Sequence, residues 1–182
     1  MRIVGGRFRG TRLAAPPGGE RKVRPTADRV RESIFNLLAH RPEGDVVQGA
    51  RVLDLFAGTG ALGLEALSRG AASAVFIENG KAAALVEANI ARIAAGGATR
   101  LIRRDATRLG PWAEAPFDLV FLDPPYGQGL GEKAVASALA GGWIAHGGLV
   151  LWEENMPVTA PGLTLLDTRR YGEAMISLFR QA

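Results

Sequence analysis

The chain has 182 residues, of which 47% are hydrophobic and 22% charged, a composition typical of a folded domain with a single core. The absence of cysteine excludes disulfides, zinc–thiolate sites, iron–sulfur clusters and cysteine nucleophiles, and two histidines are too few for a histidine-rich metal cluster. No apolar run approaches the roughly 20 residues that span a bilayer, and the N-terminus lacks the apolar core of a signal peptide. We therefore expect a cytoplasmic protein with no metal and no membrane partner.

The net charge of +4 is distributed unevenly. Residues 1–31 carry nine basic and two acidic side chains, which gives this segment a charge of +7, whereas residues 32–182 have a charge of −3. A basic segment on a mildly acidic body indicates a polyanionic partner, although many charged segments serve only solubility. We accordingly divide the chain into a basic N-terminal extension, residues 1–45, and a larger domain, residues 46–182.

The N-terminal extension is predicted to form a hairpin followed by a helix. Arg2–Val4 and Thr11–Leu13 are short strand-like runs separated by glycines. Thr26 is predicted as the N-cap of a helix over Ala27–Ala39. Apolar residues recur at helical spacing along one face of this helix, so that face is predicted to be buried. Arg31 is predicted to lie mainly on another face.

From residue 49 onward, short apolar runs alternate with helical patterns. The strand-like runs are Arg51–Ala57, Ser73–Glu78, Thr99–Arg103, Phe117–Asp123 and Gly148–Glu153. The helical patterns are Ala61–Arg69, Lys81–Ala95 and Leu130–Leu139. This alternation predicts an α/β fold with βαβ units on a parallel sheet that is covered on both faces. The chain closes with two strand-like runs around a three-residue turn, which predict an antiparallel end to the sheet: Leu163–Arg170 and Ala174–Arg180.

A glycine-rich turn follows the first predicted strand. Gly58, Gly60 and Gly63 form a G-x-G-x-x-G pattern between a strand and a helix, which lets the backbone approach a nucleotide cofactor closely. Glu78 ends the next strand, where a carboxylate can accept hydrogen bonds from ribose hydroxyls. Alone, the pattern is compatible with NAD, with S-adenosylmethionine, or with a turn that binds nothing.

Acidic residues stand at the ends of the first three predicted strands: Asp54, Glu78 and Asp105. The carboxyl ends of parallel strands form the edge at which open α/β sheets bind ligands. Three carboxylates there would repel a pyrophosphate and attract a sulfonium cation. This arrangement favours S-adenosylmethionine, with Asp54 at the methionine ammonium, Glu78 at the ribose and Asp105 at the adenine.

The fourth predicted strand ends in Asp123-Pro124-Pro125-Tyr126. The two prolines fix the backbone and have no N–H, so the carbonyls of this loop can point into a site as acceptors. Asp123 adds a carboxylate acceptor, and Tyr126 adds a ring on which a base can stack. Acceptors that hold an exocyclic amine direct its nitrogen lone pair toward an electrophile. The motif therefore indicates transfer to an amine, unless it is only a rigid turn.

Several segments carry a resemblance to one bacterial family. DLFAGTG at residues 54–60, together with DPPY at residues 123–126, is similar to class I S-adenosylmethionine-dependent amino-methyltransferases. Residues 2–11, 24–37 and 60–70 resemble the RsmD family, over essentially the whole chain. The resemblance implies a Rossmann-like sheet of seven strands with the last strand antiparallel. It also implies methylation of the exocyclic N2 of a guanine in 16S rRNA, the guanine at position 966.

The resemblance implies roles for individual residues. The target amine would be held by Asp123, Pro124, Pro125 and Tyr126, with Asp123 as a late proton acceptor. The cofactor would contact Thr26, Arg29, Asp54, Phe56, Gly58, Gly60, Glu78, Asp105 and Ala106. Phosphates of the RNA would contact Arg7, Arg9, Arg12, Arg21, Lys22 and Arg24. The implied partner is 16S rRNA in the small ribosomal subunit or an assembly intermediate, bound by a monomer.

Other functions stay open at this point. A methyltransferase for DNA, another RNA or a protein amine would use the same DPPY loop, although such DNA enzymes usually carry a recognition domain for which this chain has no room. A non-catalytic RNA-binding assembly factor would not need the acids or DPPY. An NAD(P)-linked oxidoreductase explains the glycine turn but neither DPPY nor the basic extension. After Glu78 the chain has Asn79-Gly80 where relatives often have a further acid, which leaves the contacts of that loop uncertain.

Overall fold

A computed structural model describes residues 1–16 and 25–182, except for the side chains of residues 25–27 and 96. Within these residues, the α-helices are α1 (Pro25–Ala39), α2 (Ala61–Ser68), α3 (Ala83–Arg92) and α4 (Leu130–Ala140). The seven strands are β1 (Arg51–Leu55), β2 (Ser73–Ile77), β3 (Thr99–Ile102), β4 (Phe117–Leu122), β5 (Ile144–Glu154), β6 (Leu163–Tyr171) and β7 (Ala174–Gln181). Of these helices, none has both the length and the hydropathy needed to cross a membrane.

The strands form one sheet in the order β3-β2-β1-β4-β5-β7-β6. The first five strands in sequence are parallel, and β7 runs antiparallel between β5 and β6. The predicted α/β sheet with an antiparallel end is therefore confirmed. Because β2 and β3 extend to one side of β1 while β4 and β5 extend to the other, the strand order reverses between β1 and β4. Ligands of open α/β sheets bind at such a reversal, beyond the carboxyl ends of the strands.

The sheet lies between two hydrophobic clusters. Buried residues of α1, α2 and α3 belong to one cluster, and those of α4 belong to the other. Within β1, Val52 faces the first cluster and Leu53 the second, as the two-residue period of a strand requires. Ile3, Leu13 and Phe35 of the N-terminal extension lie in the same cluster as sheet residues. The extension thus packs onto the larger domain and shares its core.

The N-terminal hairpin is present as a single antiparallel bridge between Arg2 and Arg12. The Ile3 N–H donates to the Thr11 carbonyl at 3.0 Å. Gly6 has a φ of +73° and faces α2 so closely that a Cβ atom would lie 1.8 Å from the Ser68 carbonyl oxygen. The helix prediction is confirmed, but the N-cap at Thr26 is wrong because α1 begins at Pro25. Proline suits a first helical turn, since its fixed φ is helical and its missing N–H has no partner there anyway.

Glu65, at the centre of α2, joins the hairpin and α1 to the sheet. Its side chain is fully buried. One oxygen accepts hydrogen bonds from the Val4 N–H at 2.9 Å and from Arg31 Nε at 3.3 Å. The other accepts from the Gly5 N–H and from Arg69 Nε, both at 2.8 Å. Arg31 is only 5% exposed, so the prediction that it lies mainly away from the buried face is wrong. A buried guanidinium is stable here because Glu65 and Asp28 both bind it.

We predict that Glu65→Ala strongly destabilises the fold. The substitution leaves the buried Arg31 charge without its carboxylate, and breaking a buried pair in this way costs about 3–5 kcal/mol. Denaturant unfolding of the purified variant measures this loss. Glu114→Ala is a matched control, because Glu114 forms an exposed pair with Arg100 and its loss should cost under about 1 kcal/mol. Equal losses in the two variants would contradict the role given to Glu65.

Candidate active site

A cavity of about 670 Å³ opens at the carboxyl edge of the sheet, beside the reversal in strand order. Among the described residues, its walls come from the loops after β1, β2, β3 and β4 and from the start of α4. The lining residues are Phe56, Gly58, Glu78, Asn79, Asp105, Thr107, Asp123, Pro124, Pro125, Tyr126 and Leu130. The structure therefore brings together eight of the residues predicted for the cofactor and the target amine.

Asp54 lies beneath the glycine turn and not on the cavity wall. Its side chain is 2% exposed, and one carboxylate oxygen accepts a hydrogen bond from the Gly63 N–H at 2.9 Å. Burial raises its pKa from 3.8 to about 7, opposed by the hydrogen bond from Gly63 and reinforced by the charge of Glu78. This geometry does not favour the direct contact between Asp54 and a methionine ammonium that the sequence predicts. Asp54 instead fastens the turn to the first turn of α2.

The glycines of the turn serve separate purposes. Gly58 lines the cavity, whereas Gly60 does not and precedes α2 with a φ of +76°. A Cβ atom at Gly63 would lie 2.4 Å from the Phe76 ring, so only glycine lets α2 approach β2 this closely. Phe56 has a φ of +57°, a conformation that costs a residue with a side chain about 1–2 kcal/mol. This strained bend places Phe56 on the cavity wall.

Three backbone N–H groups hold the Glu78 carboxylate. One oxygen accepts from the Gly58 N–H at 2.9 Å, and the other accepts from Asn79 and Gly80, each at 3.0 Å. Any residues except proline at positions 79 and 80 supply these backbone donors, so Asn79-Gly80 does not weaken the placement of Glu78. A carboxylate has about four acceptor positions, which leaves about one for a ligand hydroxyl.

Asp105 caps the short turn of residues 106–108. Its Oδ1 accepts from the Thr107 N–H at 2.8 Å and from the Thr107 hydroxyl at 2.7 Å, and these bonds lower its pKa. Asp105 lines the cavity, and its Oδ2, which makes no hydrogen bond within the described residues, has the capacity to accept one from a ligand. Ala106 is 3% exposed and belongs to the core cluster beneath the site.

The DPPY loop faces this group of acids across the cavity. Asp123 is accessible from the cavity, yet the protein atoms crowded around it and the neighbouring charges of Glu153, Asp54 and Glu154 disfavour its ionised form. Its pKa is therefore raised well above the usual value for aspartate. Tyr126 is 39% exposed, so its ring is available to a ligand.

Glu153 and Glu154, at the end of β5, are site residues that sequence reasoning missed. The Tyr126 hydroxyl donates to Glu153 Oε1 at 2.6 Å, and the Gly127 N–H donates to Glu154 Oε1 at 3.2 Å. In the sheet, Leu122 of β4 pairs with Trp152 of β5, so the residues that follow them are neighbours. The available signal was an acid that ends the fifth predicted strand, Glu153, followed directly by a second acid, Glu154.

Among the described residues that line the cavity, the charged side chains are all acidic. Glu78, Asp105 and Asp123 contribute carboxylates, and neither lysine nor arginine is present in that set. Such a wall stabilises a cationic ligand and repels a pyrophosphate, which bears negative charge.

A second cavity, of about 750 Å³, lies between the N-terminal hairpin and α1. Its basic lining residues are Arg2, Arg9, Arg12 and Arg29. Arg29 was predicted to contact the cofactor, but the structure places it here and not at the carboxyl edge of the sheet. Arg7 is exposed and lies over the Phe8 ring at 4.4 Å. The side chain of Thr26, and residues Arg21, Lys22 and Arg24, lie outside the described part.

Asn89 of α3 connects this hairpin to the glycine turn. Its side chain is fully buried. The amide donates to the carbonyls of Ala14 at 3.1 Å and Thr59 at 2.9 Å, and its oxygen accepts from the Ala14 N–H. The end of the hairpin and the turn at the cavity are thus held by one side chain.

We predict that Asp54→Asn removes a pH dependence from the stability of the fold. The raised pKa of Asp54 means that the folded state keeps a proton that the unfolded chain releases. The free energy of unfolding should therefore fall as the pH rises from about 4 to about 7. The variant stays neutral and can still accept from Gly63, so wild type and variant should diverge by up to about 4 kcal/mol over this range. Denaturant unfolding at a series of pH values tests this; parallel curves would contradict it.

Comparison with known proteins places this chain in a family. The family described as "Conserved hypothetical protein 95" matches residues 1–180. Ribosomal RNA small subunit methyltransferase D of Escherichia coli strain K12 is 42% identical over 160 residues, which make up 86% of this chain and 75% of that protein. The protein of the same name in Haemophilus influenzae is 32% identical over 187 residues, 99% of this chain and 93% of that protein.

Solved structures agree. That of yhhF from Escherichia coli has a TM-score of 0.83 and 37% sequence identity, covering 100% of this chain and 97% of that one. The N-methyltransferase NodS from Bradyrhizobium japonicum, solved with S-adenosyl-l-homocysteine, has a TM-score of 0.66 and 14% identity over 93% of this chain and 94% of that one, and it shows the same fold. Because the family match spans residues 1–180, the chain belongs to the RsmD family of methyltransferases.

Proposed function

We propose that this chain transfers a methyl group from S-adenosylmethionine to the exocyclic N2 of a guanine in 16S rRNA, presented by the small ribosomal subunit or an assembly intermediate. One observation carries the proposal: the DPPY loop and the acids at the ends of β2 and β3 line a single cavity. Such a cavity can bind a cation beside an amine. The names of the relatives support rRNA as the acceptor.

The residues of the cavity fit S-adenosylmethionine, which when bound supplies an electrophilic methyl group on a sulfonium. Its positive charge suits a wall lined by carboxylates. We assign the remaining acceptor position of Glu78 to a ribose hydroxyl and Oδ2 of Asp105 to the adenine amine. Phe56 and Gly58 form the wall between them. Asp54 acts through the Gly63 N–H, by holding the turn in place.

The DPPY loop orients the acceptor amine. Since prolines have no N–H, the backbone of Pro124 and Pro125 offers only carbonyl acceptors. Asp123 and the Pro124 carbonyl hold the amine hydrogens, and the exposed ring of Tyr126 stacks on the base, a contact worth about 1–3 kcal/mol. Reaching this position requires the guanine to leave its stack, as in other base-modifying enzymes. Holding both reactants in this geometry supplies most of the acceleration.

The raised pKa of Asp123 suits a late proton acceptor, but before a cation binds it opposes the role of Asp123 as a hydrogen-bond acceptor for the amine. A protonated carboxyl group would donate a hydrogen bond where the amine needs an acceptor. A cation bound in the cavity favours the ionised form and so lowers that pKa again. Formation of the N–CH₃ bond, with cleavage of the S–CH₃ bond of the sulfonium, would leave a neutral thioether and a positively charged nitrogen, whose proton would then pass to Asp123 or to water.

We further propose that the arginines of the second cavity contact RNA phosphates. Arg9 and Arg12 line it together with Arg2 and Arg29, and the exposed Arg7 extends this basic surface. The same role remains a prediction for Arg21, Lys22 and Arg24. Contact with the cofactor also remains a prediction for Thr26, Gly60 and Ala106. Because residues 1–45 pack into the shared core, we regard the extension as the RNA-contacting part of one monomeric domain.

The decisive experiment supplies labelled S-adenosylmethionine with unmethylated small subunits, naked 16S rRNA and duplex DNA, and identifies the modified base. We expect N2-methylguanine in the ribosomal RNA. Asp123→Ala should keep the cofactor affinity of the wild type and lose about a hundredfold or more in kcat, because the amine loses its acceptor. Label on DNA, or turnover by Asp123→Ala equal to that of the wild type, would contradict the proposal.

The basic surface gives a separate prediction. Arg9→Ala and Arg12→Ala should each lower kcat/KM at limiting RNA, and each should flatten the slope of log(kcat/KM) against log salt concentration by about 1. Arg100→Ala is a control that removes the same charge from an exposed pair with Glu114. If the control and the hairpin variants have the same salt dependence, the hairpin does not bind phosphates.

A further inference from the structure

We propose that Glu153 is a positioning residue for methyl transfer. It accepts a hydrogen bond from the Tyr126 hydroxyl and so fixes the orientation of the Tyr126 ring, on which the target base stacks next to Asp123. This inference rests on the proposed function. Glu153 would not touch the base or the methyl group, and it would act only through Tyr126 and through its charge.

The first observation is the contrast between an exposed ring and a fixed hydroxyl. Tyr126 is 39% exposed, so packing alone does not determine the orientation of its ring. Its hydroxyl donates to Glu153 Oε1 at 2.6 Å, a short bond to a charged acceptor and therefore a strong one. The ring is thus held at its far end while a face stays open, which is the condition for a prepared stacking surface.

The second observation is the rigidity of the support. Glu153 is among the last residues of β5 and pairs with Ile176 of β7, so its backbone is fixed within the sheet. The next residue, Glu154, is 6% exposed and accepts from the N–H groups of Gly127 at 3.2 Å and Asn155 at 3.0 Å. Two consecutive side chains of β5 therefore hold two consecutive residues of the loop after β4.

The third observation is electrostatic. Burial is the largest cause of the raised pKa of Asp123, and the charges of Glu153 from β5, Asp54 from β1 and Glu154 from β5 raise it further. Loss of the Glu153 charge should therefore lower the pKa of Asp123, whereas loss of the hydrogen bond should not have this effect. A purely structural role for Glu153 does not predict that loss of its charge and loss of its hydrogen bond have different effects on the pKa of Asp123.

Four variants test the inference: Tyr126→Phe, Glu153→Ala, Glu153→Gln and the double variant Tyr126→Phe/Glu153→Ala. Tyr126→Phe and Glu153→Ala should each lower kcat about tenfold with cofactor affinity unchanged, because each leaves the ring unheld. The double variant should be no slower than the slower single variant, since both changes remove the same bond. Glu153→Gln retains an acceptor oxygen, so it should keep most of kcat while the acidic limb of its pH–kcat profile moves to lower pH. Glu114→Gln, an acid-to-amide change in the segment before β4, should have the profile of the wild type.

A readout independent of turnover uses the two tyrosines of the chain, Tyr126 and Tyr171. In a Tyr171→Phe background, alkaline titration of the phenol absorbance reports Tyr126 alone. Its pKa is raised by the surrounding protein and by the hydrogen bond to Glu153. The phenol should therefore ionise at lower pH in Glu153→Ala than with Glu153 present.

The outcomes separate the two proposals. If the wild type makes N2-methylguanine and Glu153→Ala has the same kcat and pH profile, the inference on Glu153 is overturned and the proposed function stands. If label appears on a different amine, the proposed function fails, and the same variant series on that acceptor decides the role of Glu153. Multiplicative loss in the double variant would also overturn the inference, because it would mean that Tyr126 and Glu153 act separately.

Discussion

The parallel pairing of β1 with β4 is the contact on which the rest of this site depends. Asp54 pairs with Phe121 and Leu55 with Leu122, so the glycine turn and the DPPY loop leave the sheet side by side. These two loops are far apart in the sequence, and the reversal of strand order between β1 and β4 creates the space that separates them. A slip in this register would turn every following side chain to the other face. The hydrophobic clusters on both faces prevent such a slip, since each requires its own set of side chains.

Backbone N–H groups organise the acids around this space before a ligand arrives. The Gly63 N–H binds Asp54, N–H groups from the loops after β1 and β2 bind Glu78, and the Thr107 N–H binds Asp105. Groups that are already in place need little rearrangement when a ligand binds, and electrostatic complementarity is most effective under that condition. Burial, reinforced by neighbouring acids, raises the pKa values of Asp54 and Asp123 and so makes their ionised forms costly. A bound cation relieves that cost, so the site is complementary to a positively charged ligand.

The N-terminal hairpin is integrated with this site by two buried side chains. Glu65 binds the hairpin backbone and Arg31 of α1, and Asn89 connects Ala14 with the glycine turn at Thr59. The basic surface proposed to contact RNA is therefore held at a defined distance from the cavity. Residue 45 marks no boundary in packing, since the parts on either side of it share one core.

The amino-acid sequence by itself determined the alternation of strands and helices, the antiparallel end of the sheet and the two loops that are proposed to carry the chemistry. These features depend on local periodicity and on residues such as glycine and proline whose backbone preferences are intrinsic. Only the tertiary structure decided which side chains meet. Glu153 and Tyr126 are 27 residues apart and Arg31 and Glu65 are 34 apart, and no local pattern links them. The positions of Asp54 beneath the turn and of Arg29 in the second cavity were also decided by the tertiary structure. Strand register and helix packing act between distant segments, and they determine where a side chain finally points.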